Sequence, residues 1–282
     1  MQYENNRKSI KFHVKKYLLE NMELFKNKAV IDFPAGNGIT SRILTEIGAK
    51  PIPMDLFPEY FKIEGLSCQR ANIKEGLPIE DKTADGLICQ EGIEHFSDQF
   101  QALKEFNRVL KKDGILLITT PNYSSIRSKL SYLLSESERF NSKMPPNELD
   151  SIWMSQQDIT NEIYFGHIFL IGFQKLRTLA KLSGFRIKKY HFTRIRSTSL
   201  ILLPLFYPFI LLSSWLSYKK RMRKNKNFDN QTKKKTYKEI FKYLINPKIL
   251  AGGSLMVEFV KEKDSDEVSK DLKSKHKEFG ST

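Results

Sequence analysis

One unit constrains this chain more than any other. The apolar run KAVIDF, ending at Phe33, passes directly into Pro34-Ala35-Gly36-Asn37-Gly38, after which Ile39, Ile43, Leu44 and Ile47 recur at helical spacing up to Gly48. That is a buried strand, a tight loop and a helix, and the pattern repeats. PIPMDL gives a second strand, SCQRANI a weaker third and ADGLICQ a fourth. A helix N-capped by Ser97 then presents Phe100, Leu103, Phe106 and Leu110 on one face. GILLITTP, entered through an Asp113-Gly114 turn, is the fifth strand. Ahead of the first strand, Ile10, Val14, Tyr17, Leu18 and Phe25 mark a helical extension. Strands alternating with helices require right-handed crossovers, so the expected fold is α/β, with a doubly wound, mostly parallel sheet. Ligands bind such sheets outside the carboxyl ends of the strands.

The loop after the first strand therefore lies where a ligand would sit. Gly36 and Gly38 permit backbone angles and a close approach that a Cβ forbids. Asp55, at the end of the second strand, stands 23 residues beyond Asp32, near the offset at which an acid meets a ribose hydroxyl in nucleotide-binding folds. The full Gly-x-Gly-x-x-Gly pattern is absent, because Pro34 holds the place of its first glycine and Ser41 that of its third. The alternative is an ordinary strand-to-helix turn with a capping acid.

Composition narrows the partners. A chain of 282 residues with a formal net charge of +15 favours phosphate, nucleic acid or an acidic membrane surface. Cys68 and Cys89 stand far apart without neighbours at metal-ligand spacing, so neither a disulfide framework nor a metal site is expected, and a reducing compartment fits. The N-terminal stretch lacks the apolar core and cleavage site of a signal peptide, which gives a cytoplasmic location as the expectation.

The ordered set of motifs resembles the class I S-adenosylmethionine-dependent methyltransferases. VIDFPAGNGIT matches their first motif, with Pro34 in place of a glycine, and Asp55 in PMDLFPE matches the second. The stretch from LPIEDKTADGLICQEGIEHF to GILLITTPN resembles their fourth-strand block and fifth strand. FQKLRTLAKLSGFRIKKYHF and AGGSLMVEFVK more weakly resemble the last helix and the final strand pair. The resemblance implies a seven-stranded Rossmann-like sheet with S-adenosylmethionine as cofactor. It also implies that the backbone of Pro34, Ala35, Gly36 and Gly38 packs against the methionine portion. Asp32 would hold its ammonium directly or through water, and Asp55, with Leu56 beside it, the ribose. Asn72 takes the place of an Asp that often accepts from the adenine amino group, and the backbones of Ile73, Gln90 and Glu91 complete the walls.

Methyl transfer asks for orientation and a dry site more than for side-chain chemistry, because the sulfonium carries the activation. A base is needed where the acceptor is an alcohol or a similar weak acid. His95, after the fourth strand, and His167, in YFGHIFLIGF, are the candidates, against the plainer reading of structural histidines.

Ser197 to Tyr218, STSLILLPLFYPFILLSSWLSY, runs for 22 residues without a charge and is followed by KKRMRKNK. Its length suits a transmembrane helix, but Arg and Lys at both ends and a returning last strand place both ends on one face. Pro204 and Pro208 are expected to break it, which predicts a re-entrant or in-plane element with Trp215 at the interface and lysines on anionic headgroups. A buried helical pair covering the sheet, or a dimer interface, is the alternative. The expected organisation is a helical extension at 1–28, a core at 29–196, an apolar and basic insertion at 197–250, the last core strand at 251–262 and a disordered tail at 263–282. An irregular lid or linker is expected at 141–157. The functional expectation is O-methylation of a lipid-linked or membrane-partitioned small molecule, such as a surface-glycan or quinone-type precursor, on the inner face of the cell membrane. An RNA methyltransferase would explain the charge, but CQEGIEHF departs from the Asn/Asp-Pro-Pro-aromatic pattern of amino-group methylation and nucleic acid is the less favoured partner. A non-enzymatic membrane scaffold with a degenerate domain is the third reading.

Overall fold

The computed structural model describes residues 3–137, 144–148 and 166–278, so the lid expected at 141–157 lies, apart from 144–148, outside the described residues. Seven strands form one sheet: β1 (Ala29–Asp32), β2 (Lys50–Asp55), β3 (Gln69–Arg70), β4 (Ala84–Gln90), β5 (Leu110–Pro121), β6 (Phe185–Tyr190) and β7 (Ser254–Lys261). Their order is β3-β2-β1-β4-β5-β7-β6. All neighbours are parallel except β7, which runs antiparallel to both β5 and β6. The strand order reverses beside β1, whose Asp32 is in register with Pro53 on one side and Ile88 on the other. A crevice therefore opens at the carboxyl ends of β1, β2 and β4.

Both faces of the sheet are covered, which is why its strands read as continuous apolar runs rather than alternating ones. On one face α1 (Ile10–Glu20), α2 (Met22–Phe25) and α3 (Ile39–Glu46) bring Val14, Tyr17, Leu18, Phe25, Ile43 and Leu44 against Val30, Ile88 and Leu117. The extension ahead of β1 is thus part of the core. On the other face α4 (Gln99–Val109) packs Leu103 and Phe106 against Ile31, Leu87, Leu116 and Ile118. Successive residues Leu116, Leu117 and Ile118 alternate between the two faces, as the pleat requires.

Several local details differ from the sequence reading. The cap of α4 is Asp98, not Ser97: Asp98 Oδ1 accepts from the Gln101 amide at 2.8 Å, which only a side chain one position before the first helical residue can do. The fifth strand begins at Leu110, and Asp113, at φ 62°, sits within it as an irregularity rather than before it. Residues beyond Lys263 are not all without fold. Helix Ser265–Ser274 follows Asp264, which is paired with Lys261 and Lys82, and buries Val268. Two ion pairs and one apolar anchor order a stretch whose composition alone argues for disorder.

The largest difference is in the insertion. After α5 (Ile126–Ser135) and α6 (Phe173–Leu182), helix α7 runs unbroken from Ser197 to Lys224 through Pro204 and Pro208. The two prolines are four residues apart and exposed, so their bulk and missing donors fall on one side of the helix, away from its neighbours. Both ends of α7 are tied to the body. Near its start, Ser199 Oγ accepts from the Arg127 amide of α5. At its end, Lys233 of α8 (Asn230–Leu244) donates to the Met222 and Asn225 carbonyls, capping the helix terminus. Helix α8 is in turn held by Glu239, which pairs with both Arg177 and Lys181 of α6, and by Tyr243 against Phe173.

Candidate active site

At the carboxyl ends of β1, β2 and β4 lies a cavity of about 480 Å³. Its floor is the loop Pro34 to Asn37, entered through a cis Phe33–Pro34 peptide. Asp55, Leu56 and Phe57 form one wall, Ala71 to Lys74 the next, and Gln90 to Gly92 with His95 and Phe96 the third.

The loop is held by the acid at the end of β2. Asp55 Oδ2 accepts from the Gly36 amide at 2.7 Å and Oδ1 from the Phe57 amide at 2.8 Å. Each carboxylate oxygen retains a lone pair, so Asp55 can still accept from a ligand hydroxyl. Gly36, at φ 53°, has open space where a Cβ would be, so its role is conformational. Gly92 is sterically required, since a Cβ there would stand 2.3 Å from Pro34 Cδ. Gly38 serves packing and lies behind the cavity, where a Cβ would collide with Ile63 and Phe61.

Asp32 also lies behind the wall. It is fully buried and accepts from Ser41 Oγ at 2.6 Å, so any influence on a ligand passes through the loop or through its field. Burial lifts its carboxyl to about 7, with the Ser41 hydrogen bonds opposing that rise. Asn72 lines the cavity, yet its amide oxygen already accepts from the Lys74 amide and its nitrogen donates to Glu75, which leaves one lone pair for an adenine contact. Ile73 and Leu56 add apolar lining, and Gln90 is oriented by Thr40 Oγ1. Glu91 turns the chain out of β4 in the left-handed region, at φ 50°. Burial raises its carboxyl to about 7 against a hydrogen bond from Thr119.

His95 lines the cavity, whereas His167 comes from a distant segment and packs against His95 without being a lining residue, its ring centroid 4.9 Å from that of His95. Gln99 joins the two segments, donating to the Ile93 carbonyl at 3.0 Å and to the Phe169 carbonyl at 2.6 Å. Lys11 of α1 also lines the cavity, with Phe57, Tyr60 and Phe96 as aromatic walls. These were not visible in the sequence reading. Lys11 is remote in sequence, and the only available signal was its place on the polar side of a helix whose other side is buried.

The strand order, the acid-held glycine loop and the position of the cavity agree with what the chain matches. A family model described as a methyltransferase domain matches residues 3–190. The chain belongs to the S-adenosylmethionine-dependent methyltransferases. The cavity at the switch point is where such a domain holds S-adenosylmethionine, and its size and mixed lining of acids, among them Asp55, glycine backbone and aromatic walls fit that molecule. A ubiquinone biosynthesis O-methyltransferase from Xanthomonas campestris is 28% identical over 102 residues, covering 33% of this chain and 43% of that protein. A demethylmenaquinone methyltransferase from Chlorobaculum tepidum is 29% identical over 107 residues, covering 36% and 44%. The chain thus spans under half the length of these relatives. In fold, it is similar to an S-adenosylmethionine-dependent methyltransferase structure from Archaeoglobus fulgidus, with a TM-score of 0.52, 15% identity, and 92% and 96% of the two chains covered.

Proposed function

We propose that this methyltransferase O-methylates a lipid-linked or membrane-partitioned small molecule, a surface-glycan or quinone-type precursor, while seated on the cytoplasmic face of a membrane. The observation that carries this reading is the outer side of α7. Ile201, Leu205, Phe209, Leu212 and Leu216 recur at helical spacing and are all exposed, Phe209 at 67% and Ile201 at 76%. Burying a side chain of this kind is worth about 1.5–3 kcal/mol, so a stripe of five left in water is a strong drive towards an apolar phase. Because both ends of α7 are tied to the body, the helix lies in the plane of the surface it meets and does not cross it. Leu133 and Leu134 of the adjoining α5 are exposed as well. Arg221, Arg223 and Lys224 end α7 and Lys234, Lys235 and Lys238 continue the charge on α8, as an anionic headgroup layer would favour. The quinone-biosynthetic names of the two relatives point to the same class of acceptor.

In this reading Asp55 holds the ribose, the backbone of Pro34 to Asn37 the methionine portion and Asn72 the adenine edge, while Asp32 and Gly38 stand behind the loop as its support. Lys11 faces the cofactor carboxylate, and His95 with His167 prepares the acceptor oxygen. Held this way, the oxygen would attack the methyl carbon in line with the departing sulfur.

Co-sedimentation of the full chain with phosphatidylglycerol and phosphatidylcholine vesicles tests the placement, beside a Leu205→Glu/Phe209→Glu variant. The wild type is expected to pellet with the anionic vesicles, and the variant to stay in solution while binding S-adenosylmethionine as before. A wild type that ignores both vesicle types overturns it.

A further inference from the structure

We propose that Glu94, His95 and His167 bind a divalent first-row transition-metal ion that holds the acceptor oxygen. The inference rests on the O-methylation reading above, and supplies the means by which the oxygen is made nucleophilic. Glu94 is completely buried, and neither of its carboxylate oxygens makes a hydrogen bond among the described residues. The Thr120 hydroxyl stands beside it and favours the charged carboxylate, without reaching hydrogen-bonding geometry among the described residues. A carboxylate removed from water in this way is costly unless a cation compensates it or it holds a proton. Two imidazoles supply the rest of a ligand set. One ligand atom from each of Glu94, His95 and His167 lies within 4.8 Å of the others. His167 Nε2 stands 3.9 Å from Glu94 Oε1, too far for a hydrogen bond.

Metal bonds of about 2.0–2.2 Å bring ligand atoms to roughly 3 Å from one another, so binding draws the three side chains inward. The adjustment falls on His167, whose side chain is a third exposed and comes from an irregular segment. The supporting groups are rigid. Glu94 and His95 share one short helical turn, Ile93–His95, and Gln99 bonds both that turn and Phe169. Two histidines and one carboxylate select ions such as Zn2+, Co2+, Mn2+ or Fe2+ over Mg2+ or Ca2+, and leave coordination positions open. His95 lines the cavity, so the three residues adjoin the space proposed for the methyl donor.

The chemistry balances without an oxidant. The acceptor hydroxyl binds the ion, its proton passes to solvent as the bound oxygen becomes an anion, and that oxygen forms the bond to the methyl carbon. The carbon–sulfur bond breaks as it does so, and its electron pair stays on sulfur, giving the neutral thioether of S-adenosylhomocysteine. The ion changes no oxidation state.

The test is calorimetric titration of the chelator-stripped full chain with Zn2+ and, followed by visible absorption, with Co2+. Glu94→Gln and His167→Asn variants are run beside it, and S-adenosylmethionine binding is titrated separately on each protein. One ion per chain, bound at least about tenfold more weakly by each variant that retains cofactor binding, is the expected result. His167→Asn alters a partly exposed position, so it decides the matter even where Glu94→Gln does not fold. A wild type that binds S-adenosylmethionine but neither ion overturns the site, as does an ion whose affinity is unchanged by His167→Asn. Failure of the wild type to bind S-adenosylmethionine would count instead against the cofactor assignment.

Discussion

Asp55 Oδ2 accepts from the Gly36 amide at 2.7 Å, joining the end of the second strand to the loop after the first. The bond crosses the sheet between neighbouring strands and sets the height of the cavity floor. One carboxylate thus shapes the loop and lines the cavity, so removing it disturbs both together. Asp55→Ala is expected to leave a folded protein whose S-adenosylmethionine affinity falls by about 10- to 100-fold, as loss of a charge-assisted acceptor costs roughly 1.5–3 kcal/mol. Isothermal titration of the variant and the wild type checks it. Affinity within twofold of the wild type would remove Asp55 from the cofactor site.

Gly92 and Pro34 make a second such pair. With its added Cβ 2.3 Å from Pro34 Cδ, Gly92→Ala must push the glycine-rich loop or the turn after β4 out of place. The expected outcome is loss of cofactor binding with only a small change in melting temperature, since the clash lies at a loop and not in the sheet. Paired binding and thermal-denaturation measurements read the two effects apart.

Asp32 makes stability depend on pH. Burial raises its carboxyl from 3.8 in the open chain to about 7 in the fold, against the pull of Ser41. Below pH 4 the group is protonated in both states and contributes no pH dependence. Between about 4 and 7 the unfolded chain gives up this proton while the folded one keeps it, so the contribution to stability falls as pH rises and then levels off. Asp32→Asn is therefore expected to flatten this decline and to be more stable than the wild type at pH 8 relative to pH 4, by an amount on the order of a few kcal/mol. Urea denaturation at the two pH values measures it, and parallel curves for wild type and variant would refute the assignment.

The strands, the glycine loop and Asp55 were legible because each is a local signal: apolar runs of strand length, residues that tolerate left-handed backbone, an acid at a strand end. Parts of the site were not, and the reasons are physical. Lys11 reaches the cavity only because Val14, Tyr17 and Leu18 bury the other side of its helix, which no local pattern connects to the loop. His167 meets Glu94 through a fold that closes more than seventy residues of chain, so spacing rules for metal ligands had nothing to detect. Pro204 and Pro208 argued locally for a broken helix. Tertiary anchoring at both ends, by Arg127 and by Lys233, overrides that preference.

The same anchoring gives the last prediction. Glu239 is the acid between Arg177, whose side chain is only 4% exposed, and Lys181. Burial alone would raise its carboxyl, but the hydrogen bond from Lys181 and the charge of Arg177 outweigh burial and hold it below the usual range. Glu239→Gln leaves a buried guanidinium without its counter-ion, a loss of about 3–5 kcal/mol where such a pair is fully buried and less here, because Glu239 retains some exposure. The damage should be directional. Helix α8 loosens from α6, and through Lys233 so does the C-terminal end of α7, while among the described residues Glu239 pairs with Arg177 and Lys181 and does not line the cavity. Limited proteolysis is expected to cut the variant faster between residues 191 and 250 with S-adenosylmethionine binding kept. Vesicle binding should weaken, because a stripe presented on a loose helix costs more to order at the surface. Uniform proteolysis along the chain would instead place Glu239 in the support of the whole fold.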